Sequence, residues 1–226
     1  MLAGLNNESR AMVDYAVEVL QLKNRAAMVI SPENGNIQKV ATTIEKQSQT
    51  RGLGSVTQFT YSSNSFQPLA IAAELNKHTP TVIFFFGSRD ELNILLKTAN
   101  ALKPTPYIFI SSALTGATVV NKEFADKIFL SSPTFPQEQT NAAEFFQLIK
   151  RNNLSTQHLT TQAVSYSAAK LLVEGLQKTG RELSRKKLIH NLETIYRFDT
   201  GLLPLLSYGS NRHIGSAEVS IVPLSQ

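Results

Sequence analysis

The feature that most constrains the fold is an alternation of short apolar runs with amphipathic segments over residues 25–131. Most of the runs are continuously apolar, which is typical of strands buried on both faces of a sheet. The intervening segments repeat apolar residues at three- and four-residue spacing, which is typical of helices with one buried face. The predicted strands are Ala26–Ile30, Val56–Thr60, Val82–Phe86, Tyr107–Ile110 and Ile128–Leu130. Strands and helices in this order form right-handed crossover units, so the sequence predicts an α/β fold with a doubly wound parallel sheet.

Amphipathic helices are predicted around these strands and dominate the rest of the chain. In the strand-containing region they cover Glu8–Leu22, Ile37–Ile44, Phe66–Leu75, Leu92–Leu102 and Val119–Ala125. Beyond residue 137 they cover Gln139–Asn152, Leu159–Thr179 and Ser184–Tyr196. Two late strands, Leu203–Tyr208 and Ala217–Val222, are predicted to form a hairpin joined by a long polar turn.

The helical part of the chain lacks a sheet of its own. The segment Thr161–Lys178 carries a broad apolar face that needs a sheet to cover it, and no sheet of adequate size follows in the sequence. We therefore expect residues 138–226 to be part of a second lobe whose central strands lie upstream of Met1. On this expectation the chain is N-terminally truncated, exposes apolar surface on that helix and tends to self-associate.

Composition excludes several classes of function. The 226 residues contain no cysteine, which excludes disulfide frameworks, thiolate metal sites and cysteine nucleophiles. The net charge of +5 is too dilute to predict a nucleic-acid partner. The four histidines lie far apart without metal-ligand spacing, so neither a metal nor a cofactor is expected. No signal peptide is recognisable at the start, and the longest compact apolar run, Val82–Phe86, is too short to cross a bilayer.

The most enzyme-like string begins at Tyr166 and ends at Lys170. A tyrosine four residues before a lysine lies on the same helical face, the arrangement in which short-chain dehydrogenases lower the pKa of the phenol for proton transfer. That chemistry also needs a glycine-rich dinucleotide turn after the first strand, whereas the segment Ser31–Gly35 contains a single glycine. An oxidoreductase that uses these two residues is therefore the alternative to a non-enzymatic function.

Candidate binding residues follow the parallel strands, because ligands of doubly wound sheets lie outside the carboxyl ends of the strands and near helix N-termini. Three such loops are small and polar. They supply the candidates Ser31, Asn34, Gly87, Ser88, Arg89, Ser111, Ser112 and Ala113. The hydroxyl and backbone N–H groups of these loops suit a carboxylate or another small polar ligand. None of these residues is assigned a catalytic or metal-binding role.

Five stretches carry, by their order along the chain, a resemblance to a known family. They are Ala26–Ile30 with the following Asn34-Gly35, Thr81–Gly87, Ser165–Lys170, Phe198–Gly201, and the tail Leu206–Gly215. With these stretches the chain resembles the type I periplasmic binding proteins, in particular the leucine/isoleucine/valine-binding branch that serves ABC importers.

The resemblance implies a protein of two doubly wound lobes that are joined by three crossovers and close on a ligand by a hinge motion. It implies that residues 1–24 are a helix crossing from the first lobe, that 25–134 form the complete second lobe, and that 135–226 return to the first lobe and end in its closing hairpin. It also implies a periplasmic or extracytoplasmic location, a small polar ligand such as an amino acid, a small carboxylate or an amide, and an ABC permease or receptor as partner.

The resemblance places ligand contacts near Asn34, near Gly87 and Ser88, and near Ser112 and Ala113. Amino-acid binders of this branch carry aromatic and acidic side chains at these places, and the sequence has Asn34, Ser88 and Ala113 instead. A different ligand, held as an anion near Arg89, therefore stays open beside aliphatic amino acids. A further alternative is a degenerate lobe that serves as a sensory or interaction module.

Overall fold

The computed structural model describes residues 4–62, 65–115, 125–133, 142–156 and 159–224. The chain divides into two compact units. The first, here called the sheet unit, contains Leu5–Ser131 and the residues from Ile221 onwards. The second, here called the helical unit, contains Gly4 and Ser132–Ser220. The predicted lobe boundaries after residues 24 and 134 stay a prediction.

In its described residues the sheet unit is built on six strands in the order β2-β1-β3-β4-β5-β6. The strands are β1 (Ala27–Pro32), β2 (Val56–Tyr61), β3 (Val82–Phe85), β4 (Tyr107–Ser111), β5 (Ile128–Ser132) and β6 (Ser220–Pro223). The first five pair in parallel with their neighbours. The helices between them are α1 (Leu5–Glu18), α2 (Gly35–Arg51), α3 (Pro68–His78), α4 (Arg89–Ala99) and the single turn α5 (Ser112–Thr115). The predicted parallel α/β sheet is confirmed.

Alternate residues of the central strands belong to two separate hydrophobic cores, because successive side chains of a strand point to opposite faces. Phe84 and Phe109 share one core with the apolar stripes of α1 and α2. Ile83 and Phe85 share the other with the stripes of α3 and α4. Helices therefore cover both faces of the sheet, which explains why β3 is buried at every position.

The helical unit contains α6 (Ala143–Arg151), α7 (Leu159–Thr179) and α8 (Arg185–Glu193). Gly175 lets α7 approach α8 closely, since a β-carbon at this position would lie 2.6 Å from Cδ2 of Leu192. On α7, Leu172, Val173 and Leu176 are 48%, 52% and 37% exposed. The expected exposure of apolar surface on this helix is confirmed, whereas self-association stays a prediction.

The predicted C-terminal hairpin is wrong. In the segment Leu203–Tyr208 only Leu206 is bridged, and its partner is Phe198, with backbone N···O distances of 2.8 and 3.0 Å. Pro204 has no N–H group with which to continue a ladder. The second predicted strand is shortened to β6, which lies beside β5 at the edge of the large sheet; the backbone N–H of Leu224 donates to the carbonyl of Ile128.

Other predicted helices differ at their ends. The predicted helix Val119–Ala125 lies outside the described residues except for Ala125, and the predicted helix Gln139–Asn152 is described only from residue 142, where α6 follows. The first helix begins at Leu5 rather than Glu8, so that Glu8 lies in its first turn. That shift matters for the site below, because it places a carboxyl group over the end of the sheet.

Candidate functional site

The strand order creates a crevice at the carboxyl ends of β1 and β3. From β1 the chain passes outward to β2 and then returns to the other side of β1 as β3, so the chain connections diverge between these two strands. Loops at such a switch point separate and leave space for a ligand outside the carboxyl ends of the strands. The predicted residues lie at or just after the carboxyl ends of β1, β3 and β4, which are adjacent. All eight therefore lie along one rim, here called the carboxyl edge.

Asn34 and Ser88 serve as caps of the two helices that start at this crevice. The Asn34 side chain accepts a hydrogen bond from the backbone N–H of Asn36 at 3.0 Å, at the start of α2. Ser88 Oγ accepts from the backbone N–H of Glu91 at 3.4 Å, and Glu91 Oε2 accepts from the Ser88 N–H at 2.7 Å, which closes a capping box on α4. Both side chains thus have a structural role as well as their position at the edge.

Arg89 is the first residue of α4, and its side chain is exposed. Among the described residues it forms no ion pair, although Asp90 and Glu91 follow it directly. The carboxylate of Glu91 is occupied by the capping box, where it also accepts from Ser88 Oγ at 2.8 Å. A guanidinium without a described acidic partner at the N-terminus of a helix is a favourable place for an anionic group.

Position 87 has no space for a side chain, because three side chains approach its backbone closely. The sequence did not reveal this arrangement. A β-carbon at Gly87 would stand 2.5 Å from the Tyr61 hydroxyl, 2.8 Å from Glu91 Oε2, and closer still to Cζ of Phe85. Burial, and after it the neighbouring Glu91 carboxylate, raise the pKa of the Tyr61 phenol. The signal for Glu91 was present as the capping pattern Ser88-x-x-Glu91, whereas Tyr61 is indistinguishable from any aromatic strand residue.

A second polar group lies at the ends of β4 and β5. Glu8 of α1 is 2% exposed, and its Oε2 accepts hydrogen bonds from Ser111 Oγ at 2.7 Å and from Ser131 Oγ at 2.6 Å. Burial raises the pKa of the Glu8 carboxyl, and the two serine hydroxyls oppose this shift without cancelling it. Ser111 and Ser131 are paired in the sheet register, so one carboxylate oxygen bridges the ends of two neighbouring strands.

The remaining predicted residues differ in exposure. Ser31 is buried near the end of β1, opposite Thr60 of β2. Ala113 is exposed, and its backbone N–H donates to Ser111 Oγ at 3.3 Å. Ser112 is only 5% exposed, and its hydroxyl has no hydrogen-bond partner among the described residues. A buried hydroxyl without a partner is costly, which sets Ser112 apart from the other predicted residues.

Sequence reasoning missed Glu8. It lies four residues before Met12 and seven before Tyr15, which places an acidic residue within the buried stripe of α1. Tyr15 packs on Phe109 and Phe129, the residues that precede Ser111 and Ser131 by two positions in their strands. An acid on the apolar face of a helix was the available signal, and it was obscured because Glu8 looked like the start of the helix.

The pair Tyr166 and Lys170 does not have the geometry of a dehydrogenase. The Lys170 ammonium lies over the Tyr166 ring, 5.5 Å from its centre, and 3.8 Å from the Glu144 carboxylate. Burial, followed by the effect of Glu144, raises the pKa of Tyr166 to about 12. Proton transfer by this phenol would need the opposite shift, so the oxidoreductase alternative is not favoured.

Other kinds of site find little support in the described residues. Among the described residues, no three His, Cys, Asp or Glu side chains come together as a metal site would require. None of the described helices combines the length and apolar character needed to cross a membrane. A cavity of about 560 Å³ in the helical unit contains none of the predicted site residues; it is lined by Tyr196, Arg197, Asp199, Leu203, Leu205, Ser207, Arg212 and Glu218.

Comparison with known proteins places this geometry in a family. The family described as Periplasmic binding protein matches residues 2–225, whereas no curated protein matches the sequence. Solved structures of similar fold include a fatty acid ABC transporter substrate-binding protein from Thermomonospora curvata, with a TM-score of 0.81 and 15% identity over 98% of this chain and 59% of that one. A leucine-binding protein from Thermotoga maritima has a TM-score of 0.72 and 16% identity over 96% of this chain and 64% of its own.

An extracellular ligand-binding receptor from Verminephrobacter eiseniae is similar to the same extent, with a TM-score of 0.75 and 17% identity over 97% of this chain and 63% of its own. The chain thus spans about three fifths of the length of these structures. At these identities the structural likeness establishes the fold, and the match over residues 2–225 establishes the family. The resemblance inferred from the sequence is confirmed: the chain belongs to the periplasmic binding protein family.

Proposed function

We propose that this chain contributes to an extracytoplasmic solute-binding protein that captures a small polar ligand at the carboxyl edge and delivers it to an ABC permease. The observation that carries the proposal is the switch-point crevice, where two helices begin and the Arg89 guanidinium is exposed without an ion pair among the described residues. Membership of the family supports it, because capture of a solute is what such proteins do. On this proposal the protein is not an enzyme.

The chemistry of the edge favours a ligand that carries an anionic group. A carboxylate near Arg89 gains a charge-assisted hydrogen bond and the partial positive charge of the helix N-termini. The ligands in the names of similar structures, leucine and fatty acid, share a carboxylate and an apolar hydrocarbon chain, and only leucine also carries an ammonium group. A carboxylate-bearing solute is therefore the class to test first, and an uncharged amide of the same size is the matched comparison.

Isothermal titration of the 226-residue chain with L-leucine, L-isoleucine, L-valine, octanoate and their amides tests the proposal. We expect at least one carboxylate to bind, its amide to bind about tenfold more weakly, and Arg89→Ala to remove most of this preference. Arg25→Ala is the control, because Arg25 is also exposed but precedes β1 at the opposite edge of the sheet. Absence of binding with every compound, also in a chain extended upstream, would contradict solute binding and favour the interaction-module alternative.

Self-association through α7 is a separate proposal about partners. Leu172, Val173 and Leu176 are exposed on one helix, and contiguous apolar surface of this kind promotes association. Sedimentation velocity of the chain over a range of concentrations tests it, with a Leu172→Gln, Leu176→Gln variant for comparison. A monomer at every concentration would contradict self-association without affecting the proposed ligand site.

A further inference from the structure

Glu8 is the most unusual ionisable residue in the described part of the sheet unit. A carboxylate that is 2% exposed has lost almost all contact with water, and such groups are normally paired with a cation. Among the described residues Glu8 forms no ion pair, and its partners are the hydroxyls of Ser111 and Ser131. Burying a carboxylate that has only two neutral hydrogen-bond donors opposes folding, so a contribution to stability does not account for Glu8.

Among the described residues, no charged group on a neighbouring element pairs with Glu8. Arg51 of α2 pairs with Asp14 and Glu18, which lie further along α1. Lys127, ahead of β5, lies over the Tyr107 ring at the opposite end of β4, 4.1 Å from its centre. The other charged residues of α2, which are Lys39, Glu45 and Lys46, are exposed or half-buried, and β3, β4 and β5 contain none.

The hydrogen bonds form a continuous chain from α1 to the loop after β4. Ser111 Oγ donates its only proton to Glu8 Oε2, which leaves its lone pairs to accept the backbone N–H of Ala113 at 3.3 Å. Thr115 Oγ1 donates to the Ser111 carbonyl at 3.0 Å and closes the single turn α5. The orientation of the Ser111 hydroxyl, and with it the amide of Ala113, therefore depends on the presence of an acceptor at Glu8.

Ser112 lies between the two anchored residues of this chain. Its backbone is held on one side by the Ser111 side chain and on the other by the Ala113 amide. Its own hydroxyl is buried and has no partner in the described part of the chain, so it can meet a ligand group without breaking a described bond. The position of this hydroxyl is set by the network that begins at Glu8.

We propose that Glu8 is a positioning residue for the binding site: through Ser111 and Ser131 it holds the Ser111–Ala113 loop so that the Ser112 hydroxyl is presented to a ligand at the carboxyl edge. The second half of this inference rests on the proposed function, whereas the first half concerns only the loop. Glu8 itself does not touch the ligand, and its effect on affinity passes through Ser112.

The loop is tested first, without any ligand, by NMR of the 226-residue chain between about pH 4 and 8. In the wild type we expect the amide shift of Ala113 to follow the titration of the Glu8 carboxyl carbon. In Glu8→Gln the side-chain amide oxygen can still accept hydrogen bonds from both serine hydroxyls. The backbone N–H of Ala113 should therefore stay protected from exchange, while its chemical shift should no longer depend on pH. In Glu8→Ala its exchange should accelerate by about tenfold or more, because Ser111 loses its acceptor.

Ser48→Ala is the matched control, because Ser48 is a fully buried serine of α2 whose hydroxyl has no partner among the residues that the structure describes. It should leave the Ala113 amide unchanged. An Ala113 amide that does not respond to Glu8→Ala, or that responds equally to Ser48→Ala, would overturn the proposed coupling. Glu8→Gln preserves the shape and the hydrogen bonding of the side chain. The pH dependence of the Ala113 amide shift in this variant therefore tests the coupling even if Glu8→Ala unfolds.

Titration with L-leucine and octanoate forms the second arm. We expect Glu8→Ala and Ser112→Ala to weaken binding by about tenfold, and Glu8→Gln to weaken it by less than about threefold. Loss of Ala113 protection with unchanged affinity would overturn the link from loop to ligand. Failure of the wild type to bind either probe would count against the proposed function, while the amide measurements would still decide the role of Glu8 in the loop.

Discussion

Replacing Gly87 by alanine tests whether the carboxyl edge is as tightly packed as the structure indicates. The new methyl group would stand 2.5 Å from the Tyr61 hydroxyl, whereas ordinary contact begins at 3.4 Å, so the hydroxyl has to retreat by about 1 Å. Phe85 and Tyr61 are almost completely buried and have little space for such a movement. Overpacking of this kind typically costs about 1–3 kcal/mol.

The methyl group also meets Glu91 Oε2, the acceptor of the capping box on α4. Displacing that oxygen adds the loss of a cap, about 0.5–2 kcal/mol, so we expect Gly87→Ala to lower the free energy of unfolding by about 2–4 kcal/mol. Urea denaturation followed by circular dichroism measures this change, and an unchanged slope of the transition shows that stability alone has altered.

Gly35→Ala is the matched control, because Gly35 follows β1 as Gly87 follows β3 and a β-carbon there would meet nothing within 4 Å. It begins α2, where alanine is the better helix former, so stability should be unchanged or rise by up to about 1 kcal/mol. Adding Tyr61→Phe to Gly87→Ala should recover about 0.5 kcal/mol or more, since one of the three clashing atoms is removed. Equal stability of Gly87→Ala and Gly35→Ala would refute the packing described here.

Three further predictions concern the elements that support the site. Ser88→Ala should cost about 1 kcal/mol in urea denaturation while Ser88→Asp costs less, because an aspartate oxygen can still cap α4. Phe109→Ala should cost about 3–5 kcal/mol by calorimetry, since this fully buried ring stacks between Phe84 and Phe129. The pKa of Glu8 is raised above its ordinary 4.5 in the folded protein, so unfolding releases a proton and stability should fall as the pH rises through that raised pKa. Urea denaturation at several pH values should show no such decline for Glu8→Gln. If the stability of the wild type and of Glu8→Gln changed with pH in the same way, the raised pKa of Glu8 would be contradicted.

The fold was predictable because its information is local. The strands β1, β3, β4 and β5 are apolar on both faces, and a run that is buried on both sides needs helices above and below it whatever its partners are. The C-terminal hairpin was not predictable in the same way. The partner of β6 is β5, which lies far away in the sequence. The residues of β6 do not indicate which strand it pairs with.

The candidate site was predictable in place but not in detail. Its place follows from the topology, since the ends of adjacent parallel strands must share one edge. The roles of its residues depend on distances that no pattern contains. Glu8 precedes Ser111 and Ser131 by more than a hundred positions, and only the packing of α1 across β4 and β5 brings the three together.

The predicted site residues differ in whether their side chains already have hydrogen-bond partners. The side chains of Asn34 and Ser88 are engaged as caps, that of Ser111 is engaged by Glu8, and Gly87 has none. Arg89 and Ser112 retain an ionic and a hydroxyl group without a described partner, and they follow the neighbouring strands β3 and β4. If the ligand is recognised through these two, Asn34→Ala should lower stability while leaving affinity unchanged. Ser112→Ala should weaken affinity, while stability stays unchanged or rises because a buried hydroxyl without a described partner is removed. A ligand whose affinity depends on Asn34 would shift the site toward β1 and remove Ser112 from it.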